Sequence, residues 1–298
     1  MNGRISGIKR FAVGDGDGIR TTVFFKGCPL RCVWCHNPES IAYHTEIAHF
    51  ENLCTCCGAC ASVCPTNALQ VSKNKFLWNR LLCIECERCV SSCVYGAQIR
   101  YGEDCDVNSL IDKLLADMPF YGANGGGVTL SGGECLMQPH FALALAKGLY
   151  AKGVSVNIDT CGAVPWENIA PIIPYTDMFL YDIKAIDPET HQKCTGHDNH
   201  LILENLQRLC ELGCKIEIRY PLVVGWNDAE AEKIGAWLAQ KRGIVRVKVL
   251  AYHDFARSRY TALGKKDTLP HVRTDSRDVA QAIKTISSFG VSAVDSNV

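Results

Sequence analysis

Short apolar runs recur along the chain at 21–25, 127–130, 155–158, 178–183, 215–219 and 246–250. Each has the length and the β-branched content of a strand. Between them lie stretches with apolar residues at helical spacing. Val107, Leu110, Ile111, Leu114, Leu115 and Met118 share one face, which predicts a helix over 107–118 with Asp106 as its N-cap. Further helices are predicted near 138–151, 166–173, 202–212, 229–241 and 276–288. Six strands, each followed by a helix or by an insertion, predict an α/β fold with a parallel sheet and right-handed crossovers. The alternation fits an open doubly wound sheet or an incomplete (β/α) barrel. In both, functional side chains belong at the C-terminal ends of the strands. Residues 50–98 interrupt the pattern and read as a compact insertion in a main domain formed by 1–49 and 99–298.

The insertion draws attention to cysteine, which supplies 18 of the 298 residues. A chain of this length does not need disulfide staples. The N-terminus, Met1-Asn2-Gly3-Arg4-Ile5, lacks the apolar core of a secretory signal, so a reducing, cytoplasmic setting is expected. Eleven of the cysteines fall into three groups with ligand spacing, which points to metal binding. Lys and Arg total 31, as do Asp and Glu. That balance argues against nucleic acid or an anionic membrane as partner. No run of 18 apolar residues exists to span a bilayer.

The first group is Cys28-x3-Cys32-x2-Cys35, directly after the first strand. Three thiolates leave a four-iron cluster with one iron free for a small-molecule ligand. A zinc site completed by His36 is the alternative. The second group is Cys54, Cys57, Cys60 and Cys64, followed by Pro65; the third is Cys83, Cys86, Cys89 and Cys93. Each repeats the bacterial two-cluster ferredoxin run, in which the fourth cysteine ligates the other cluster. The expected sets are Cys54, Cys57 and Cys60 with Cys93, and Cys83, Cys86 and Cys89 with Cys64. Cys56 is read as a bystander, and Cys210 and Cys214 as small buried hydrophobes.

Polar residues stand at the other predicted strand ends. They are Ser131-Gly132-Gly133-Glu134, Asp159-Thr160, Asp182-Ile183-Lys184, Arg219 and His253. The glycine pair allows close backbone approach to a ligand. Glu134 is placed to accept from an ammonium group, and Asp182 and Lys184 share one face of their strand.

Together these residues resemble the radical S-adenosylmethionine (SAM) superfamily, and within it the activating enzymes of glycyl radical enzymes. The resemblance rests on the Cys28–Cys32–Cys35 motif with Trp34 before its last cysteine. It rests also on Asp15-Gly16-Asp17-Gly18-Ile19-Arg20-Thr21, Trp34-Cys35-His36-Asn37-Pro38-Glu39, the stretch from Gly125 to Glu134, Asp182-Ile183-Lys184 and Tyr252-His253. The two-cluster insertion resembles one subgroup of that family.

The resemblance implies a partial (β/α)6 barrel of TIM type carrying a ferredoxin-like insertion with two auxiliary 4Fe–4S clusters. It implies that Cys28, Cys32 and Cys35 hold the catalytic cluster, with Trp34 and His36 flanking SAM. Gly132 and Gly133 would bind the methionyl part, with Glu134 nearby. Asp182, Ile183, Lys184 and His253 would complete the SAM pocket, and Arg219 would lie near the SAM carboxylate. Asp159, Thr160, Asp182 and the Leu180 carbonyl match a monovalent-cation site. Asp15 matches a residue that holds the incoming glycine loop. Two positions depart from the family pattern: Asp17, where proline is usual, and Cys135, where proline usually follows Gly-Gly-Glu.

The implied reaction is reductive cleavage of SAM to methionine and a 5′-deoxyadenosyl radical. That radical takes a hydrogen from a backbone glycine of a partner glycyl radical enzyme. Flavodoxin or ferredoxin would supply the electron, and a monomer would leave the barrel mouth free for the partner. A radical SAM enzyme acting on a small molecule, and a non-catalytic iron–sulfur electron carrier, are the rival readings.

Overall fold

The computed structural model describes residues 1–73, 75–122 and 125–296. The chain begins with β1 (Asn2–Ala12) and β2 (Arg20–Phe25). Across the cysteine-rich stretch the chain forms β3 (Glu46–His49), α1 (Ala59–Ser62), β4 (Leu69–Ser72), β5 (Lys75–Trp78), α2 (Arg88–Ser92) and β6 (Gln98–Tyr101). Next come β7 (Glu103–Asp106), α3 (Val107–Leu115), α4 (Met118–Tyr121), β8 (Gly127–Gly132), α5 (Pro139–Tyr150), β9 (Ser155–Thr160), α6 (Trp166–Ile169) and β10 (Met178–Asp182). The remainder is α7 (Pro188–Thr195), α8 (His200–Glu211), β11 (Ile216–Leu222), α9 (Ala231–Leu238), β12 (Ile244–Ala251), α10 (Arg257–Leu263), α11 (Ser276–Ser287) and β13 (Ala293–Asp295).

All six expected strands form, as β2 and β8 to β12. They join β1, β7 and β13 in one nine-stranded sheet of order β7-β1-β2-β8-β9-β10-β11-β12-β13. From β2 to β13 every pairing is parallel; β1 is antiparallel to both neighbours. The parallel strands follow chain order without reversal. A doubly wound sheet would reverse at a switch point. Right-handed crossovers that all progress in one direction put the helices on one face. The packing agrees. Leu130, Ile158, Tyr181, Ile218 and Val249 share one core with Leu145, Leu206, Ile234 and Ile286 of the helices. Many of the alternate positions, including Thr129, Asn157, Asp159, Glu217, Arg219 and Lys248, are polar and face the other way.

Helix ends follow local chemistry. Asp106 Oδ1 accepts from Asn108 N at 2.9 Å and Ser109 N at 3.3 Å, the expected cap of α3. The helix expected over 166–173 stops at Ile169 and continues as a 3-10 turn over Ala170–Tyr175. Pro171 and Pro174 remove the donors an α-helix would need there. β3 pairs with β6 at the two ends of the cysteine-rich stretch, and β4 pairs with β5 within it. Ile47, Cys60, Leu69 and Cys89 form its small core. Among the described residues no helix is long and apolar enough to cross a membrane.

Candidate active site

The loop that carries Cys28, Cys32 and Cys35 leaves β2 and is stitched down on both sides. Gly27 N donates to Ser40 O at 2.8 Å and Cys28 N to Ile41 O at 3.0 Å. Arg31 N and Val33 N donate to Thr195 O and Cys194 O of α7 at 2.8 and 2.9 Å. The end of β8 joins the same loop: Gly133 N donates to Phe25 O at 2.9 Å and Glu134 N to Gly27 O at 2.8 Å. Gly132 has φ +120, and a Cβ there would stand 2.1 Å from Phe25 N. A Cβ on Gly133 would stand 2.4 Å from Gly27 O. The glycine pair therefore admits the cysteine loop itself, whatever it also admits from outside.

A cavity of about 250 Å³ opens at the C-terminal ends of the parallel strands. Its lining brings Cys28, Cys32 and Cys35 together with Trp34, His36, Gly132, Gly133, Asp159, Thr160, Asp182, Lys184 and Arg219. Lys184 Nζ donates to Asp182 Oδ2 at 2.7 Å. Burial alone would lower this lysine's pKa, but Asp182, then Cys32, outweigh it and the ammonium is retained. Arg219 donates to Gly14 O at 2.7 Å and lies 3.4 Å from Asp159 Oδ2 and 3.5 Å from Asp15 Oδ1. Asp159 also accepts from Ser131 Oγ at 2.6 Å. Burial raises Asp159 to about 7 against the pull of Arg219. Asp15 accepts from Thr22 Oγ1 at 2.7 Å, which fixes the β1–β2 turn beside Arg219.

Three expected SAM contacts do not line this cavity. Glu134 is fully buried: Oε1 accepts from Leu136 N at 3.0 Å, and Oε2 from Thr160 Oγ1 and Cys161 N, both at 2.8 Å. Its carboxylate ties β8 to the end of β9. The Ile183 side chain lies in the main core. His253 borders a neighbouring groove, where its ring stacks on His36 at 4.1 Å. His36 Nε2–H donates to the His253 carbonyl at 2.7 Å. Burial, then His253, lowers His36 to about 4, so it is neutral at pH 7.

Cys161 was not anticipated, though it directly follows Asp159-Thr160. It lines the cavity and hydrogen-bonds Cys28, which raises the Cys161 thiol and lowers that of Cys28. Burial pushes Cys35 up to about 12, so taking up metal there releases protons. Lys26, completely buried, was also missed; its Nζ donates to Glu39 O at 2.7 Å and Glu46 Oε2 at 2.9 Å. The two departures differ in character. Asp17 accepts from Arg246 at 2.6 Å, whereas Cys135 is buried in the main core, its thiol 3.6 Å from Asp159 O.

Among the described residues no three His, Cys, Asp or Glu side chains stand close enough to hold a metal ion outright, so the fit rests on which thiols share a cavity. In the insertion, Cys54, Cys57, Cys60 and Cys93 line one small cavity, with Cys56 beside them. Cys64, Cys83, Cys86 and Cys89 line another. These are the two crossed sets that the spacing predicts.

Comparison with known proteins agrees with this chemistry. The model of the radical SAM superfamily matches residues 86–238, and that of the 4Fe-4S binding domain matches 47–70. The trans-4-hydroxy-L-proline dehydratase activating enzyme of Clostridioides difficile is 39% identical, over 96% of each chain. The choline trimethylamine-lyase activating enzyme of Oleidesulfovibrio alaskensis is also 39% identical, over 87% of this chain and 86% of that one. Streptococcus suis SuiB bound to precursor peptide SuiA matches in fold alone, with a TM-score of 0.51 and 14% identity over 65% of this chain and 43% of that one. The chain belongs to the radical SAM superfamily, within the activating enzymes of glycyl radical enzymes. It is an enzyme of that type, using SAM and 4Fe–4S chemistry on a partner glycyl radical enzyme.

Proposed function

We propose that this chain installs the radical on its partner from a partial (β/α)6 barrel whose mouth is the 250 Å³ cavity. Cys28, Cys32 and Cys35, which share that cavity, would hold one 4Fe–4S cluster, and that cluster would bind SAM. Cys54, Cys57, Cys60 and Cys93 hold a second, and Cys64, Cys83, Cys86 and Cys89 a third, in the insertion spanning 50–98. Bound by Cys28, Cys32 and Cys35, the cluster would supply the one electron that breaks the C5′–S bond of SAM, giving methionine and the 5′-deoxyadenosyl radical that would take the glycine Cα hydrogen. Reduced flavodoxin or ferredoxin supplies that electron, and the chain acts as a monomer.

The protein's own residues bind, orient and exclude water. Lys184, fixed by Asp182, and Arg219, fixed by Asp159 and Gly14 O, present two cations to the SAM carboxylate and its surroundings. The backbone of Gly132 and Gly133 forms the wall beside the methionyl part. Trp34 and the neutral His36 flank the bound molecule, and the stacked His253 keeps His36 in place. Asp15, held by Thr22, lies on the same polar face and receives the partner's glycine loop. A loop of that kind suits glycine, which has no side chain to exclude it from a narrow mouth. Asp159, Asp182 and the Leu180 carbonyl sit on adjacent positions of β9 and β10 and provide a monovalent-cation site with Thr160.

The observation that carries this reading is the convergence of the three-cysteine loop with Asp159, Asp182, Lys184 and Arg219 on one cavity. The test is anaerobic. Reconstituted protein, SAM, a reductant and a glycyl radical enzyme should yield a glycyl doublet by electron paramagnetic resonance. Cys32→Ala should release no 5′-deoxyadenosine. Normal release by that variant would overturn the assignment of the catalytic cluster.

A further inference from the structure

α10 lies between the insertion and the loop of Cys28, Cys32 and Cys35. One short segment, 257–268, supplies side-chain donors to four carbonyls of that loop. Thr268 Oγ1 donates to Val33 O at 3.1 Å, Tyr260 OH to Cys35 O at 3.1 Å, Arg259 to His36 O at 3.1 Å and Lys265 Nζ to Pro38 O at 2.6 Å. Arg259 also reaches Asn37 Oδ1 at 3.2 Å and Glu39 Oε1 at 2.9 Å. Lys265 and the buried Lys26, two residues before Cys28, share the Glu46 carboxylate at 2.8 and 2.9 Å.

The insertion grips the other side of α10. Arg80 donates to Ala262 O at 2.7 Å and to Ile47 O at 3.1 Å. Its guanidinium stacks 3.9 Å above the Trp78 ring. Ala262 and Leu263 pack with Ala48, Phe50 and Tyr101. Gly264 ends the helix at φ +64, and a Cβ there would stand 2.2 Å from Arg80 Nε. Glycine is thus required both by the backbone and by the arginine. Arg80 is also tied to the metal-ligating chemistry next to it: Cys83 N donates to Arg80 O at 3.2 Å, and Trp78 lines the cavity of Cys64, Cys83, Cys86 and Cys89.

We propose that segment 257–268 is a positioning strap coupling the Cys64–Cys83–Cys86–Cys89 site to the SAM-binding loop. Occupancy of that site fixes Cys83 and the Arg80 turn. Arg80 fixes the end of α10, and α10 holds the carbonyls on either side of Cys35. The first site then raises the affinity of the second for SAM, and by linkage SAM favours retention of the insertion's iron. The inference rests on the cluster assignments proposed above.

The test uses the full chain, reconstituted without oxygen, as wild type, Arg80→Ala, Cys86→Ser and the double variant. SAM binding is measured by calorimetry, and hydrogen–deuterium exchange is followed in residues 33–38. Each single substitution should weaken SAM binding about tenfold, within the range typical of coupled sites, and speed exchange in that stretch. The double variant should bind SAM no worse than the weaker single one, because both cut the same connection. A hundredfold, multiplicative loss in the double variant, or single variants that match wild type, would overturn the strap. Wild type that takes up iron in the insertion but binds no SAM would instead overturn the assignment of the catalytic cluster. Should Arg80→Ala fail to fold, Arg259→Gln tests the far end. It should loosen 33–38 and weaken SAM binding with the insertion's iron intact; unchanged affinity would refute the proposal.

Discussion

Glu134 offers the sharpest discrimination between what the family resemblance implies and what the geometry assigns. The resemblance puts this carboxylate near SAM. The structure turns it away from the cavity, where it accepts from Leu136 N, Thr160 Oγ1 and Cys161 N at 3.0, 2.8 and 2.8 Å. Glu134→Ala strips all three donors of their acceptor. The Thr160 hydroxyl can rotate to another partner; the two backbone N–H groups cannot. A buried donor left unpaired costs about 1–3 kcal/mol, so two of them predict a loss of about 2–6 kcal/mol. Against a typical stability of about 5–15 kcal/mol, that is severe. Glu134→Gln must turn its amide NH₂ toward either Leu136 N or Cys161 N, so it should lose roughly half as much. Urea unfolding followed by circular dichroism measures the loss, and calorimetry on the same material measures SAM affinity. If Glu134→Ala is within about 1 kcal/mol of wild type while SAM affinity falls tenfold, the carboxylate faces the ligand and the reasoning fails.

Other substitutions probe separate parts of the site. Lys184→Met leaves the partly exposed Asp182 without its 2.7 Å partner; the cost should fall between about 1 kcal/mol for a surface pair and about 3–5 kcal/mol for a fully buried one, so thermal melts should drop, and an unchanged midpoint would refute the pairing. Asp159, raised to about 7 in the fold, holds a proton there that the unfolded chain releases near the ordinary aspartate value of 3.8. Its contribution is therefore greatest in acid and is lost as pH rises from about 4 to about 7, and Asp159→Asn should flatten the stability profile over that window. Above pH 7 the ionised carboxylate should strengthen any stimulation of SAM cleavage by monovalent cations, measured as turnover against added potassium at pH 6 and 8. Cys93→Ser should shed about four irons, the same set as Cys54→Ser, whereas Cys64→Ser should shed the set lost in Cys83→Ser; colorimetric iron counts on the double variants decide. Asp17→Ala removes an ion pair with Arg246 whose carboxylate is half exposed, so denaturation should shift by less than about 1 kcal/mol.

Most of the scaffold was legible because periodicity and cysteine spacing are local signals. The six strand runs, the Asp106 cap and the ligand spacing within each cysteine run all come from residues close in sequence. The missed elements lack such signals. β7 reads Glu-Asp-Cys-Asp and pairs at a sheet edge, where Asp104 meets Arg4 at 2.7 Å; an edge tolerates charges that a central strand would not. α7 and α10 are polar and short, and α10 is defined by what it holds rather than by an apolar face. Within the site, residue identities were readable but directions were not. The left-handed turn at Gly132 decides which way Glu134 points. The lining position of Cys161 depends on strand register, and the burial of Lys26 on a partner, Glu46, twenty residues away.

The lodging of Arg80 beneath Gly264 bears on how such chains gain or shed a cysteine-rich segment. A cysteine-rich segment between two strands is easily pictured as a cassette, dropped into a loop and removable without trace. Here excision would uncover Leu263, strand the Ala262 carbonyl and leave a glycine with no guanidinium to make room for. A shortened descendant would have to rewrite residues 262–264, some 160 positions downstream of the cut, before the main sheet and its helices could cover the gap.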